Sequence, residues 1–279
     1  MRGHRAQRVA IAAGELFPQL TGVLMDGQRA ARAAAIGSRR VSAAARSRRG
    51  EWYGKPEHLM TAPAVRTEGS QMYDELIAVH TIMRRGAELT ADAFARRAAG
   101  EPVGTKALVG TARRLVAFVH HHHASEDEQF WPVLRERFPD AIAALDGLTA
   151  EHHALDGELQ GLTEVVDALA SGSAGDAVAR GTTAAAKVRD LLLHHLDAEE
   201  PALVDLMPQV PDEEITRLRE AIVDGAPKSG PDLVLGLLED PDRPAGYDHL
   251  MGNFPPPVRW LCPLLPRCYR ARRKALGDR

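Results

Sequence analysis

Nine of the twelve histidines in the 279-residue chain fall into four clusters: His80; His120 to His123; His152 and His153; His194 and His195. Two clusters are followed by an acid at helical spacing, His122 by Glu126 and His195 by Glu199. Residues four apart on a helix have Cβ atoms about 5–6 Å apart. An imidazole and a carboxylate so placed can bind one metal ion, or the carboxylate can reach a second. Imidazole and carboxylate donors without cysteine suit iron or manganese, with zinc less favoured.

The surroundings of these residues point inward. His80 has Leu76 at i−4 and Met83 at i+3, His152 has Leu148 and Leu155 in those places, and His195 has Leu191 at i−4. Apolar residues normally occupy such positions. A buried, unpaired carboxylate costs several kcal/mol or becomes neutral, against a total stability of about 5–15 kcal/mol. A divalent ion resolves that conflict by accepting lone pairs from neutral imidazoles and ionised carboxylates. The expected ligands are therefore His80, His122, Glu126, His152, His195 and Glu199.

Within His120–His123 the choice falls on His122, because Glu126 follows it and Leu115 and Phe118 precede it. His123 with Asp127 is the rival pair, and His121 is a supporting candidate. Asp156, four residues after His152, stands evenly between surface and ligand. His153 and His194 are expected to face solvent. Asp127 and Glu200 read as supporting or surface acids, and His4, His58 and His249 have no partners of this kind.

Four long amphipathic segments must carry these residues. The first starts at Ser70 as N-cap and ends near Gly100. The second runs from Thr105 to a bend or stop at Pro132, the third from about Asp140 to Ala170, and the fourth from Asp176 to a bend or stop at Pro201. Antiparallel helices joined by short loops can bring all four ligand positions to one depth. The expected fold is all-α, an up-down-up-down four-helix bundle over 70–208. A C-terminal extension over 209–279 follows, with a short helix capped by Asp212, a Pro- and Gly-rich stretch and a basic helical tail.

Residues 1–69 are expected to be a basic, low-order extension. Residues 1–59 carry 11 Lys+Arg against 4 Asp+Glu. They read as a basic arm, a targeting presequence, or sequence upstream of a start at Met60, the last being preferred. The whole-chain charge of −3 predicts neither a nucleic-acid nor a membrane partner. No apolar run approaches the length of a membrane span. Two cysteines, Cys262 and Cys268, make no disulfide framework and suit a reducing cytoplasm.

The stretches AVHTIMRR, HHHHASEDEQFWPVL, LTAEHHALDGEL and LLLHHLDAEEPALVDLMP resemble the hemerythrin-like, HHE cation-binding domains of bacterial type. The resemblance implies a non-haem centre of two iron ions with an open position for dioxygen, nitric oxide or peroxide, serving sensing, storage or stress response. The alternative it allows is a di-iron enzyme with catalase- or peroxidase-like or nitric-oxide-linked iron chemistry. Oxygen-carrying members have a second histidine four residues after the one on the third helix, where this chain has Asp156. A ferritin-like oxidase fits poorly, because no histidine here has a glutamate three residues before it.

Overall fold

A computed structural model describes residues 66–172, 175–226, 230–254 and 264–278. Helix α1 is Glu68–Ala98 and α2 is Thr105–Ser125, followed by a π-helical turn, Glu126–Phe130, and a short α3, Trp131–Arg137. A 3-10 turn, Pro139–Ala141, leads into α4, Ile142–Ala170, and α5 is Ala177–Leu203. Beyond a 3-10 turn at Met207–Gln209 come α6, Asp212–Gly225; α7, Pro231–Glu239; α8, Tyr247–Asn253; and α9, Leu265–Ala275. The expected low-order extension, with the proposed start at Met60, falls almost wholly outside the described residues, as does Cys262. Cys268 is an exposed free thiol.

The four long helices form the expected up-down-up-down bundle. Helix α1 packs against α2 and α5, and α4 packs against the same two. Close approach of α1 and α5 depends on Gly181, because a Cβ there would lie 2.2 Å from the Phe94 ring. Two apolar cores result. The larger includes Met83, Phe94, Leu108, Leu155, Leu159, Leu192 and Leu196. The smaller, at one end, gathers Phe130, Trp131, Leu145, Leu148, Leu203 and Met207. His152 lies in sequence between Leu148 of one core and Leu155 of the other, and Glu199 between Leu196 and Leu203. The polar residues thus form a layer separating the two cores.

Several boundaries differ from the sequence expectation, each for a local reason. Thr67, not Ser70, caps α1, its hydroxyl accepting from the Ser70 amide at 3.1 Å. Pro132 does not stop the second segment, because it occupies the first turn of α3, where its missing N–H costs nothing. Pro201 lies inside α5, which continues to Leu203. Asp212 is the first residue of α6 rather than its cap, and its carboxylate accepts from the Glu68 amide at 3.0 Å.

The C-terminal helices are fastened to the bundle. Arg219 of α6 donates to Glu75 at 3.1 Å and Glu68 at 2.8 Å, and Asn253 of α8 donates to Glu75 at 2.9 Å. Arg85 of α1 donates to the Leu237 carbonyl at 2.9 Å and to Asp242 at 2.6 Å. Gly246 has φ +76, and a Cβ there would sit 2.0 Å from the Asp74 carbonyl oxygen, so only glycine allows this approach to α1. Arg272 and Arg273 of the basic tail are not left to solvent. They pair with Asp232 and with Asp240 and Asp278.

Candidate metal centre

Each long helix sends at least one imidazole into the layer between the cores. His80 comes from α1, His122 and His123 from α2, His152 from α4 and His195 from α5, with Glu126 from the π turn and Glu199 from α5. His80, His152, His195 and Glu199 are at most 2% exposed. On α5 the inward stripe is Val188, Leu192, His195, Leu196 and Glu199, all buried. Leu191, the neighbour used to place His195, is exposed, so the stripe lies one residue away from that expectation.

These side chains form two adjacent donor groups, His80, His122, Glu126 and Glu199 in one and His123, His152 and His195 in the other. Donor atoms within each group lie within 4.8 Å of one another. Metal–nitrogen bonds of about 2 Å put donors on one ion up to about 4 Å apart, so little contraction is needed. Nε2 of His80 lies 3.1 Å from Nε2 of His122, and Nε2 of His152 lies 3.1 Å from Nε2 of His195. Both carboxylates reach across. Glu126 places Oε1 3.2 Å from His122 and Oε2 3.5 Å from His152. Glu199 places Oε2 3.6 Å from His80 and 3.2 Å from His195.

His123 is the member that the sequence reading ranked below His122. Its ring stacks on His152 at 4.1 Å between centroids and stands 5.2 Å from His195. Neither of its ring nitrogens has a hydrogen-bond partner. Consecutive residues on a helix point about 100° apart, yet a site broad enough for two ions accepts both, with His122 facing one group and His123 the other. The π turn that follows belongs to the same construction. It places Glu126, Phe130 and Trp131 on the buried side, and such turns often mark functional sites. The signal in the sequence was the contiguous histidine run itself.

Asp156 is not in the centre. It pairs with His120 at 3.1 Å, both about half exposed. His153 and His194 are exposed as expected. His121 packs against Gly225 of α6 rather than supporting a ligand.

The supporting acids are specific. Nδ1 of His80 meets Glu200 at 2.9 Å, Nδ1 of His152 meets Asp127 at 3.0 Å, and Nδ1 of His195 meets Glu151 at 2.9 Å. Glu200 is held in turn by Arg84 at 2.5 Å, and Asp127 by the Thr149 hydroxyl at 3.0 Å. A carboxylate on the outer nitrogen fixes the tautomer, turns Nε2 inward and raises its basicity toward a metal.

The electrostatics of the protein alone are frustrated. Burial pushes Glu126 well above the usual carboxylate range, and the neighbouring Glu199 adds to it. Burial opposes ionisation of Glu199 as well, but the imidazoles of His80 and His195 outweigh it and hold that carboxyl low. Burial depresses His122 and His123 and, to a smaller extent, His152, keeping their lone pairs available. His195 is raised, since Glu199 and Glu151 overcome its burial. All four oxygens of Glu126 and Glu199 are buried without a hydrogen-bond partner. Orphaned acceptors of this kind are costly. Together with the neutral imidazoles they are the donor set a pair of cations satisfies, so the residues fit a di-metal site.

Residues 71–207 match the family described as the hemerythrin HHE cation binding domain. The match spans all four bundle helices and every donor named above. No curated protein and no solved structure matches the chain significantly. Among the described residues no helix is long and apolar enough to cross a membrane.

Proposed function

We propose that the hemerythrin HHE cation-binding domain formed by residues 71–207 holds two iron ions and takes up dioxygen, nitric oxide or peroxide for sensing, storage or stress response. His80 and His122 hold one ion, His123, His152 and His195 the other, and Glu126 and Glu199 join them. The observation that carries this reading is that each of the two carboxylates lies within 3.6 Å of an imidazole from both groups. Two iron ions so bound supply reversible one-electron chemistry and an open position for a small ligand. The donors are imidazole and carboxylate with no thiolate among them, a set that suits iron.

The protein's own part is to orient and to exclude water. Asp127, Glu151 and Glu200 hold three imidazoles with Nε2 inward. The two apolar cores close the layer above and below, which strengthens electrostatic interactions inside it. His122 keeps a tenth of its side chain exposed, more than any other imidazole of the centre, so the small ligand approaches on its side.

The test is stopped-flow absorbance of the anaerobically reduced, iron-loaded protein mixed separately with dioxygen, nitric oxide and hydrogen peroxide. A stable new absorption band with a diatomic ligand is the expected result. Fast multiple turnover of peroxide with no stable band would move the protein to the enzymatic alternative. No spectral response to any of the three would contradict both.

A further inference from the structure

A cavity of about 30 Å³ lies between α1, α2 and α7, away from the bundle interior. Its walls are mainly apolar, among them Ile82, Leu115, Phe118, Leu233 and Leu237. Two polar residues of α2, Thr111 and Arg114, also line it. Three residues apart, they share one side of the helix.

Neither is satisfied by the protein. Thr111 is fully buried and its hydroxyl has no hydrogen-bond partner. Threonines 81, 90, 163 and 182, also in long helices, each donate to the carbonyl four residues back. Arg114 is half-buried. Its Nη1 donates to the Gly110 carbonyl at 3.0 Å, but its Nε is buried with no partner. Among the described residues no carboxylate stands at ion-pair distance from Arg114. The nearby acid, Asp232, is engaged by Arg272 at 3.1 and 2.6 Å. Both guanidinium groups converge on Gly110, where a Cβ would lie 3.2 Å from Arg114 and 3.8 Å from Arg272. Arg114 thus stands without a paired carboxylate beside a cavity containing an orphaned hydroxyl.

We propose that this cavity binds a small monoanion carrying two oxygens, of nitrite or formate size. One oxygen accepts from the Thr111 hydroxyl and the other from the Arg114 guanidinium, a charge-assisted bond of the stronger kind. The apolar walls cover the central atom. A single water needs about 10–15 Å³ of such space, so the cavity has room for a ligand of two or three heavy atoms. Leu233 and Leu237 belong to α7, outside the matched residues 71–207. The site therefore belongs to the junction between the bundle and its C-terminal helices, and does not depend on what the metal centre does.

The experiment uses the full-length, metal-loaded protein. Sodium nitrite and sodium formate are titrated by calorimetry and by thermal shift against sodium chloride at matched ionic strength, while the absorption spectrum of the metal centre is recorded. Expected are saturable binding with a Kd of about 1 mM or tighter, a rise in Tm and an unchanged spectrum. Thr111→Val and Arg114→Gln should each weaken binding about tenfold or more, with metal content intact, and Thr111→Ser should retain it. Binding undiminished in both variants, binding accompanied by a spectral change, or no saturable binding would each overturn the proposal. Should either variant fail to fold, a nitrite-soaked crystal of the unaltered protein decides. Anion density between Thr111 and Arg114 supports the site, and a lone water on Thr111 refutes it.

Discussion

Around His80 and His122 two imidazoles meet the shared carboxylates, whereas His123, His152 and His195 bring three. Both halves use one device: the acid directly after a shared glutamate holds an imidazole on the other side. Glu200, after Glu199, bonds His80, and Asp127, after Glu126, bonds His152. The three-imidazole half is finished more completely. Glu151 holds His195, and the Trp131 ring lies nearly parallel to His152 at 6.3 Å. The two-imidazole half has one imidazole fewer, and its His122 is the more exposed ring. On the proposed reading, the unequal number of imidazoles and of supporting groups makes one half saturated by the protein and leaves the other room for an outside ligand.

Removing a donor from the saturated half should have the largest effect. An ion present at about a thousandfold its Kd contributes about 4 kcal/mol of stability. In a domain of this size that corresponds to a Tm change on the order of 10 °C. His195→Ala should lose metal and lower Tm together by that order, measured by elemental analysis and calorimetry, since ligation is coupled to folding. Unchanged metal content would remove His195 from the ligand set.

His123→Ala tests the asymmetry itself. It should reduce metal content toward one ion per chain while the two-imidazole half still fills. Asp156→Ala, at the position where oxygen carriers have histidine, should leave both content and spectrum as they were. The reverse outcome would place the fifth imidazole's role on α4 instead of α2.

Glu200→Gln and Asp127→Asn should act more mildly, each lowering metal affinity about 10–100-fold in a chelator competition. The two variants should shift different spectral components, because they support imidazoles of different halves. Smaller still is the proton signal. In the metal-free protein Glu126 and His195 both have raised pKa values, so each tends to keep its proton as the pH approaches neutrality from below. Metal must displace those protons. Binding should therefore release protons, more at pH 6 than at pH 8, as read from the buffer dependence of the calorimetric heat. Proton uptake at either pH would contradict the assignment.

Much of this arrangement was legible in the sequence because helical spacing is regular. The stripe through Leu148, His152 and Leu155 needed only a period of 3.6, and the pairs His122/Glu126 and His195/Glu199 needed only neighbours four apart. The rest depended on departures from that regularity or on partners distant in sequence. The π turn at Glu126–Phe130 changes the helical repeat where the expected reading assumed none. His123 stands only as the rival of His122 in the sequence, since a run of four histidines gives no phase of its own. Asp156 stands evenly between surface and ligand in the sequence, and only its partner on another helix, His120, decides for the surface. The pairing of Arg272 with Asp232 joins residues 40 apart, which periodicity cannot register.

The most direct measurement is metal identity and stoichiometry in natively purified, untagged protein, read together with its iron-edge X-ray absorption spectrum. The account predicts two iron ions per chain, with nitrogen and oxygen donors and a second iron at short range from the first. Less than one ion per chain after reconstitution, or a single isolated ion with no neighbouring metal, would contradict it.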